Sequence, residues 1–337
     1  MSQALVPDVR QRTVPTWLPW AGLGVVYVVW GSTYLAIRFT VVSMPPLTSG
    51  GLRFVLAGLV LLVAVLVLAG RGALRMNRKQ LGSALLIGLL LPAWGNGMVV
   101  IAEQHVASGL AALLIASVPL YVVVLRRILG ERPPAITLIG VTVGMAGLAV
   151  LLLGGPVAGA HGSAGWGPWL VLLAALGWSV GSVASTRLPV PANPFALSAI
   201  EMLAGGAAMM IVGVSTGERI DLGAVTAQSW FGWVYLILFG SLLAFSSYVF
   251  ILGKLPVSTV ATYAYVNPVI AVVLGVLFAG EHFGFFQLAG GLIVLCAVVL
   301  VVRAEQRPKP EPPCGEMSVP AGDLLAESTH QDRTVRA

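Results

Sequence analysis

Residues 117–131 read SVPLYVVVLRRILGE, and residues 266–281 read VNPVIAVVLGVLFAGE. Both run from an X-Pro step through an apolar stretch to a closing Gly-Glu. Val118-Pro119 is echoed by Asn267-Pro268 149 residues later, and Gly130-Glu131 by Gly280-Glu281 after 150. Working outward, Val106-Ala107-Ser108 matches Val257-Ser258-Thr259 at an offset of 151, and Gly140 matches Gly290. The chain is therefore written twice. Each copy holds five apolar runs of about 20 residues, each long enough to cross a roughly 30 Å hydrocarbon core as a helix. An odd number of crossings makes the second copy enter the bilayer upside down. The predicted fold is an all-α integral membrane protein, with ten helices forming an inverted repeat of two five-helix halves. Such halves enclose a shared site near the midplane.

Composition supports the bilayer as solvent. Of 337 residues, 58% are hydrophobic and 9% charged, and the mean hydropathy is +0.93. Soluble domains carry about 25% charge. Lipid offers the backbone no hydrogen-bond partners, so the spans must be helical. They are placed at 19–38, 47–69, 80–102, 107–126, 135–154, 167–186, 194–215, 229–252, 257–279 and 285–303. The domain reading is a cytoplasmic N-terminal segment (1–18), a first repeat (19–154), a second repeat (167–303) and a cytoplasmic tail (304–337). The tail is rich in Pro, Glu, Ser and Lys and is expected to be disordered. The first apolar run is too long for a signal peptide and lacks a small-residue cleavage site, so it is read as a retained span. Cys296 and Cys314 suggest neither a disulfide framework nor a metal site.

The net charge of +6 does not point to nucleic acid, because of where it lies. Arg10 and Arg12 precede the first span. Arg71, Arg75, Arg78 and Lys79 follow the second, and Arg126, Arg127 and Arg132 the fourth. Arg187 follows the sixth, Lys254 the eighth, and Arg303, Arg307 and Lys309 the tenth. The opposite loops hold Arg219 and the borderline Arg38. This alternation is the positive-inside pattern and predicts both termini in the cytoplasm.

Polar groups inside the spans are few, and each needs a reason. Asp8, Asp221, Asp323 and Asp332 all lie in loops or tails. Glu201 is the one acid well inside a span, and Arg53 the one basic residue. They stand 148 residues apart, at nearly equivalent places in the two halves. Their axial gap is roughly 10 Å once both depths are subtracted from the core thickness, so they are not expected to meet. Arg53 is a candidate anchor for a substrate carboxylate, and Glu201 a candidate for proton coupling. The structural alternative is snorkelling and hydrogen bonding to carbonyls. Glu103 and His105 read as a solvated outer-loop pair.

Trp30, Gly31, Ser32, Thr33 and Tyr34 are expected to interrupt the first span, and Trp178, Ser179, Gly181 and Ser182 the sixth. Pro92, Trp94, Gly95 and Asn96 fall in the third, Ser246, Ser247 and Tyr248 in the eighth, and Tyr263, Tyr265, Asn267 and Pro268 in the ninth. Aromatic rings with one polar handle suit organic solutes. The expected cavity lining is Trp30, Tyr34, Asn96, Trp178, Tyr248, Tyr265 and Asn267. Pro119 and Pro268 are expected to shape the fourth and ninth helices. Trp17, Trp20, Trp166, Trp169, Trp230 and Trp233 read as interface anchors. Gly140 with Gly144, and Gly213 with Gly217, read as helix-packing pairs. Each repeated Gly-Glu is expected to serve the start of the helix that follows it.

These residues carry a family likeness. WGSTYLAIRF (30–39), GNGMV (95–99) with Ala102-Glu103, AIEMLAGG (199–206) and YAYVNPVIAV (263–272) resemble the EamA branch of the drug/metabolite transporter superfamily, and within it the YedA-type inner-membrane exporters. The likeness covers residues 20–303. It implies ten helices, an inverted repeat and export of small organic solutes across the inner membrane. It names no cargo, and it does not account for the Pro-rich tail.

The resulting expectation is an exporter working by alternating access, with no cofactor and no metal. Its partners would be a small-molecule substrate, the lipid bilayer and protons, without nucleic acid; a homodimer stays open. No Gly-x-x-x-x-Gly-Lys-Ser/Thr loop is present, so a proton gradient is the expected energy source. A passive facilitator is the alternative. An intramembrane enzyme would need acids, His or a metal cluster facing one cavity, and the spans contain no Asp and no His.

Overall fold

A computed structural model describes residues 15–153, 158–252, 254–255, 257–260 and 262–305. The predicted N-terminal segment and tail lie outside these residues, apart from positions 15–18 and 304–305. Among the described residues every regular element is helical, with a single isolated bridge between Gly159 and Gly162. In chain order the helices are α1 (Leu18–Thr40), α2 (Pro46–Leu68), α3 (Arg78–Gly88), α4 (Gly97–Ala102), α5 (Ser108–Ile115), α6 (Val118–Ile128) and α7 (Ala135–Leu152). There follow α8 (Gly167–Arg187), α9 (Pro194–Ser215), α10 (Ala227–Tyr235), α11 (Ala244–Leu252), α12 (Val257–Val260), α13 (Tyr263–Ala279) and α14 (Phe285–Glu305).

Among the described residues, nine helical segments are long and apolar enough to cross a membrane, and Tyr263–Ala279 is apolar but shorter. Two of the nine are composite. Arg78–Ala102 joins α3 and α4 through a π-helical stretch, Leu89–Asn96, and Ala227–Tyr248 joins α10 to α11 through another, Leu236–Leu243. Pro92, inside the first stretch, has no N–H to give the ladder, which favours the wider turn there.

Local chemistry starts the helices where they start. Proline stands in the first turn of α1, α2, α6, α8 and α9, where its missing N–H has no intrahelical partner to lose. Asn77 and Gln80 form a reciprocal capping box on α3, and Asn193 accepts from the first amides of α9.

The expected interruptions fall elsewhere. α1 runs unbroken through Trp30–Tyr34, and α8 through Trp178–Ser182. The hydroxyls there donate back to carbonyls of their own helix: Ser32 to Val29, Thr33 to Trp30 and Ser182 to Trp178. Satisfied in this way, they leave the ladder intact. The expected fourth span breaks at Ala116-Ser117, between α5 and α6. The expected ninth span, 257–279, is carried by α12 and α13, with Thr262 between them donating to Thr259 O.

Glycines bring the helices together. A Cβ on Gly51 would sit 2.7 Å from Gly206 O, and one on Gly206 would sit 2.7 Å from Gly51 O, so α2 and α9 pack backbone to backbone. α7 meets α14 similarly: a Cβ on Gly147 would lie 2.7 Å from Ile293, and one on Gly290 would lie 2.6 Å from Leu151 N. Gly140 and Gly144 face Val301 and Ala297 of α14, as small-residue packing requires. Gly213 and Gly217 do not form such a pair. Gly213 abuts Thr48 and Glu218, while Gly217 (φ 90°) turns the chain in the left-handed region. Replacing Gly290 with alanine is expected to cost about 1–3 kcal/mol by overpacking against backbone that cannot yield. Thermal unfolding in a fixed lipid or detergent would show it, and an unchanged midpoint would mean that α7 and α14 can separate freely.

Candidate functional site

A cavity of about 200 Å³ lies among α1, α2, α5, α6, α8, α9, α13 and the two π-helical stretches. Of the expected lining, Trp30, Tyr34, Asn96, Trp178 and Asn267 border it, together with Arg53, Pro119 and Pro268. Tyr248 and Tyr265 do not. Tyr248 stands behind the wall, its ring 5.1 Å from Trp30 and 5.9 Å from Tyr263. Tyr263 takes the place proposed for Tyr265. Two residues along a helix turn a side chain by roughly 200°, so the two tyrosines of α13 face opposite ways. Thr33 also borders the cavity, as do Ser241 and Phe245, which the sequence did not single out.

The aromatic wall is braced. Trp30 Nε1 donates to Gly240 O at 3.2 Å, inside the second π-helical stretch, and the ring meets Tyr263 edge to face at 5.3 Å. Trp178 packs where a Cβ on Gly95 would lie, 2.8 Å away. The Asn267 side chain faces the carbonyls of Tyr27 and Tyr263, which places its nitrogen there as donor at 3.2 and 3.3 Å. Tyr27 and Thr262 are joined by a hydrogen bond between their hydroxyls.

The two prolines act differently. Pro119 opens α6 just after the break at Ala116-Ser117, whereas Pro268 sits inside a continuous α13.

Arg53 is buried at 6% exposure, its guanidinium 4.2 Å from the Phe54 ring centre, and its Nε has no hydrogen-bond partner among the described residues. A buried guanidinium bordering a cavity, with an Nε–H that is free among the described residues, is poised for an anion. Glu201 is also buried, but it does not border the cavity; its neighbour Met202 does. As the depth estimate required, no ion pair joins Arg53 to Glu201 among the described residues.

Glu103 overturns its reading as a solvated loop residue. It follows the end of the Arg78–Ala102 span and is wholly buried, and neither carboxyl oxygen has a hydrogen-bond partner among the described residues. The hairpin around Gly159–Gly162 covers it, with Ala160 N donating to Glu103 O and His161 N to Gln104 O. His105 does not pair with it; its ring meets Trp166 edge to face at 5.0 Å.

The repeated Gly-Glu pair is asymmetric. The Glu281 carboxylate accepts from Ser108 N (2.6 Å), Ser108 Oγ (2.8 Å) and Gly109 N (3.0 Å), and stands 3.4 Å from Arg38 Nη1. It therefore caps α5 and not the following α14, whose start is served by Gln287 Oε1 accepting from Gly284 N. Glu131 lies at the surface between Arg126 (2.6 Å) and Arg187 (2.5 Å), and hydrogen bonds from these two hold its carboxyl below the usual range. The helix after Glu131 begins beyond Pro133 and Pro134, which offer no N–H to cap.

Comparison with known proteins agrees with this architecture. A model of the EamA-like transporter family matches twice, over residues 17–153 and 165–303. The chain is 42% identical over 278 residues to the uncharacterized inner membrane transporter YedA of Escherichia coli (strain K12), covering 82% of this chain and 87% of the relative. It is 29% identical to a probable terminal-alkyne amino-acid exporter of Streptantibioticus cattleyicolor, over 84% of this chain and 93% of that protein. A solved crystal structure of a protein, 20% identical, superposes with a TM-score of 0.58 over 87% of this chain and 98% of its own, which shows a shared fold. The chain belongs to the EamA-like transporter family and is a multi-pass membrane transporter, not an enzyme.

Proposed function

We propose that this transporter is a secondary active exporter of small organic solutes, amino-acid-like or aromatic, working by alternating access in the inner membrane and driven by a proton gradient. The observation that carries the reading is the cavity. It combines a buried cation (Arg53) that makes no ion pair among the described residues, two indoles (Trp30, Trp178) and two amides (Asn96, Asn267). Arg53 would take a carboxylate, and the indoles a flat or apolar side chain. At about 200 Å³ the space is below the roughly 300–1,000 Å³ of drug-sized sites, which favours a solute of amino-acid size. A relative named as an amino-acid exporter is consistent with that cargo.

Alternating access rests on the inverted-repeat reading, with halves at 19–154 and 167–303. Corresponding features recur across the two halves and support it. The π-helical stretches start 147 residues apart, at Leu89 and Leu236. Basic loops on alternate sides favour cytoplasmic termini. Export would then empty the cavity on the opposite face.

The test is uptake into inside-out vesicles or proteoliposomes from a panel of labelled amino acids and cationic dyes, with and without an imposed pH gradient. Accumulation above the bath concentration that requires the gradient is the expected result. Equilibration to the bath and no further would make the protein a facilitator.

A further inference from the structure

The cavity leaves one buried group unused. Glu103 lies behind its wall, covered by the Gly159–Gly162 hairpin, with 0% exposure and no side-chain donor bonded to either carboxyl oxygen among the described residues. A carboxylate buried there is costly to keep charged, and the nearby Arg38 backbone offsets only part of that cost, so the protonated form is favoured. We propose that Glu103 is the proton-binding site of this transporter, and that its carboxyl, not that of Glu201, carries the coupled proton.

The surroundings explain how a proton there is felt in the cavity. Tyr34 and Arg38 face Glu103 from α1, Arg53 from α2 and Glu281 from the loop before α14. On its own loop His105 meets Trp166 edge to face, and on the covering hairpin His161 is bound to Val41 O. The Arg38 guanidinium is engaged by Ala158 O at 2.9 Å and by Glu281 at 3.4 Å, so it offsets only part of the cost of a charge on Glu103. Arg53 has a free Nε and borders the cavity, yet makes no ion pair with Glu103 among the described residues. Burial first, then the negative charge of Glu281, hold the Glu103 carboxyl well above the usual carboxylate range, and Arg38 and Arg53 offset this in part.

Arg53 thus stands between two anions: a solute carboxylate in the cavity and Glu103 behind it. When water or Arg53 reaches Glu103, its O–H bond breaks, the proton passes to water and the carboxylate remains. An anion bound to Arg53 from the cavity side withdraws that support and favours the protonated form. Solute and proton are then linked through one guanidinium. Glu201 has no such link, since it does not border the cavity.

Infrared titration of the full-length protein in liposomes tests the assignment without knowledge of the cargo. Wild type is expected to show the C=O stretch of a protonated carboxylic acid at neutral pH. Glu103→Gln should remove a component of that band, Glu103→Asp should shift it, and Glu201→Gln should leave that component in place. A band unchanged in both Glu103 variants overturns the proposal.

The role in transport rests on the proton-coupled reading and is tested by gradient-driven accumulation of the labelled amino-acid panel. One proton per solute allows up to roughly tenfold accumulation per pH unit. Glu103→Gln should reduce this to onefold while still exchanging solute across the membrane, and Glu103→Asp should retain coupling with a displaced pH midpoint. Accumulation by Glu103→Gln at the wild-type level, or a Glu103→Asp midpoint equal to wild type, sinks the coupling role. If wild type itself never exceeds the bath concentration, the proton-coupled reading fails, and the infrared band still decides whether Glu103 binds the proton.

Discussion

Replacing Arg53 with alanine is expected to raise the half-saturation concentration for carboxylate-bearing solutes by about 10- to 150-fold. The figure follows from the ~1.5–3 kcal/mol of a hydrogen bond to a charged group, at a factor of ten per 1.4 kcal/mol. Arg53→Lys should recover little of the loss, because a single ammonium does not reproduce the planar two-point contact of a guanidinium with a carboxylate. The fold should tolerate the change. Arg53 Nε has no hydrogen-bond partner among the described residues, so its removal leaves no acceptor of that group stranded there. The check compares an amino acid with its methyl ester as competitors for transport. Wild type should prefer the free acid, and Arg53→Ala should treat the two alike. If the preference survives, Arg53 is not the anchor and acts only within the wall, over the Phe54 ring.

Glu281→Ala is expected to be among the most damaging single changes to stability, at about 3–5 kcal/mol. That is the scale for removing one partner of a buried charge pair. Three donors at the start of α5 would lose their acceptor, and Arg38 would lose its neighbouring carboxylate. Its repeat counterpart supplies the control. Glu131 is at the surface, where its arginines can turn to water, so Glu131→Ala should leave the unfolding midpoint almost unmoved. Thermal unfolding of both variants in the same lipid mixture decides the point. Equal shifts would mean that the burial of Glu281 has no energetic consequence.

Much of the site was legible from residue type and depth. Trp30, Tyr34, Asn96, Trp178, Asn267 and Arg53 are polar or aromatic groups at positions where lipid would be costly, and all six border the cavity. The tyrosines of α13 show where that logic stops. The helix is apolar on all sides, so its pattern carries no signal for which face turns inward. Tyr265 and Tyr263 were equally good candidates until packing chose between them. The predicted interruptions of the first and sixth spans failed for a related reason. Ser and Thr in a helix either break the ladder or bond back to it, and the residue type does not distinguish the two.

What the sequence determined by itself is the class of molecule: an apolar chain written twice, with helices long enough for a bilayer and few charges inside them. Those properties are set by composition and by spacing along the chain, which survive any arrangement of the helices. What only the tertiary structure decided is the state of the charges. Glu103 stands one residue beyond a span, where sequence alone places it in water. Folding covers it with the Gly159–Gly162 hairpin and surrounds it with Arg38, Arg53 and Glu281, all distant in the chain. The cost of a buried charge depends on what lies within a few ångströms of it, whatever the separation along the chain.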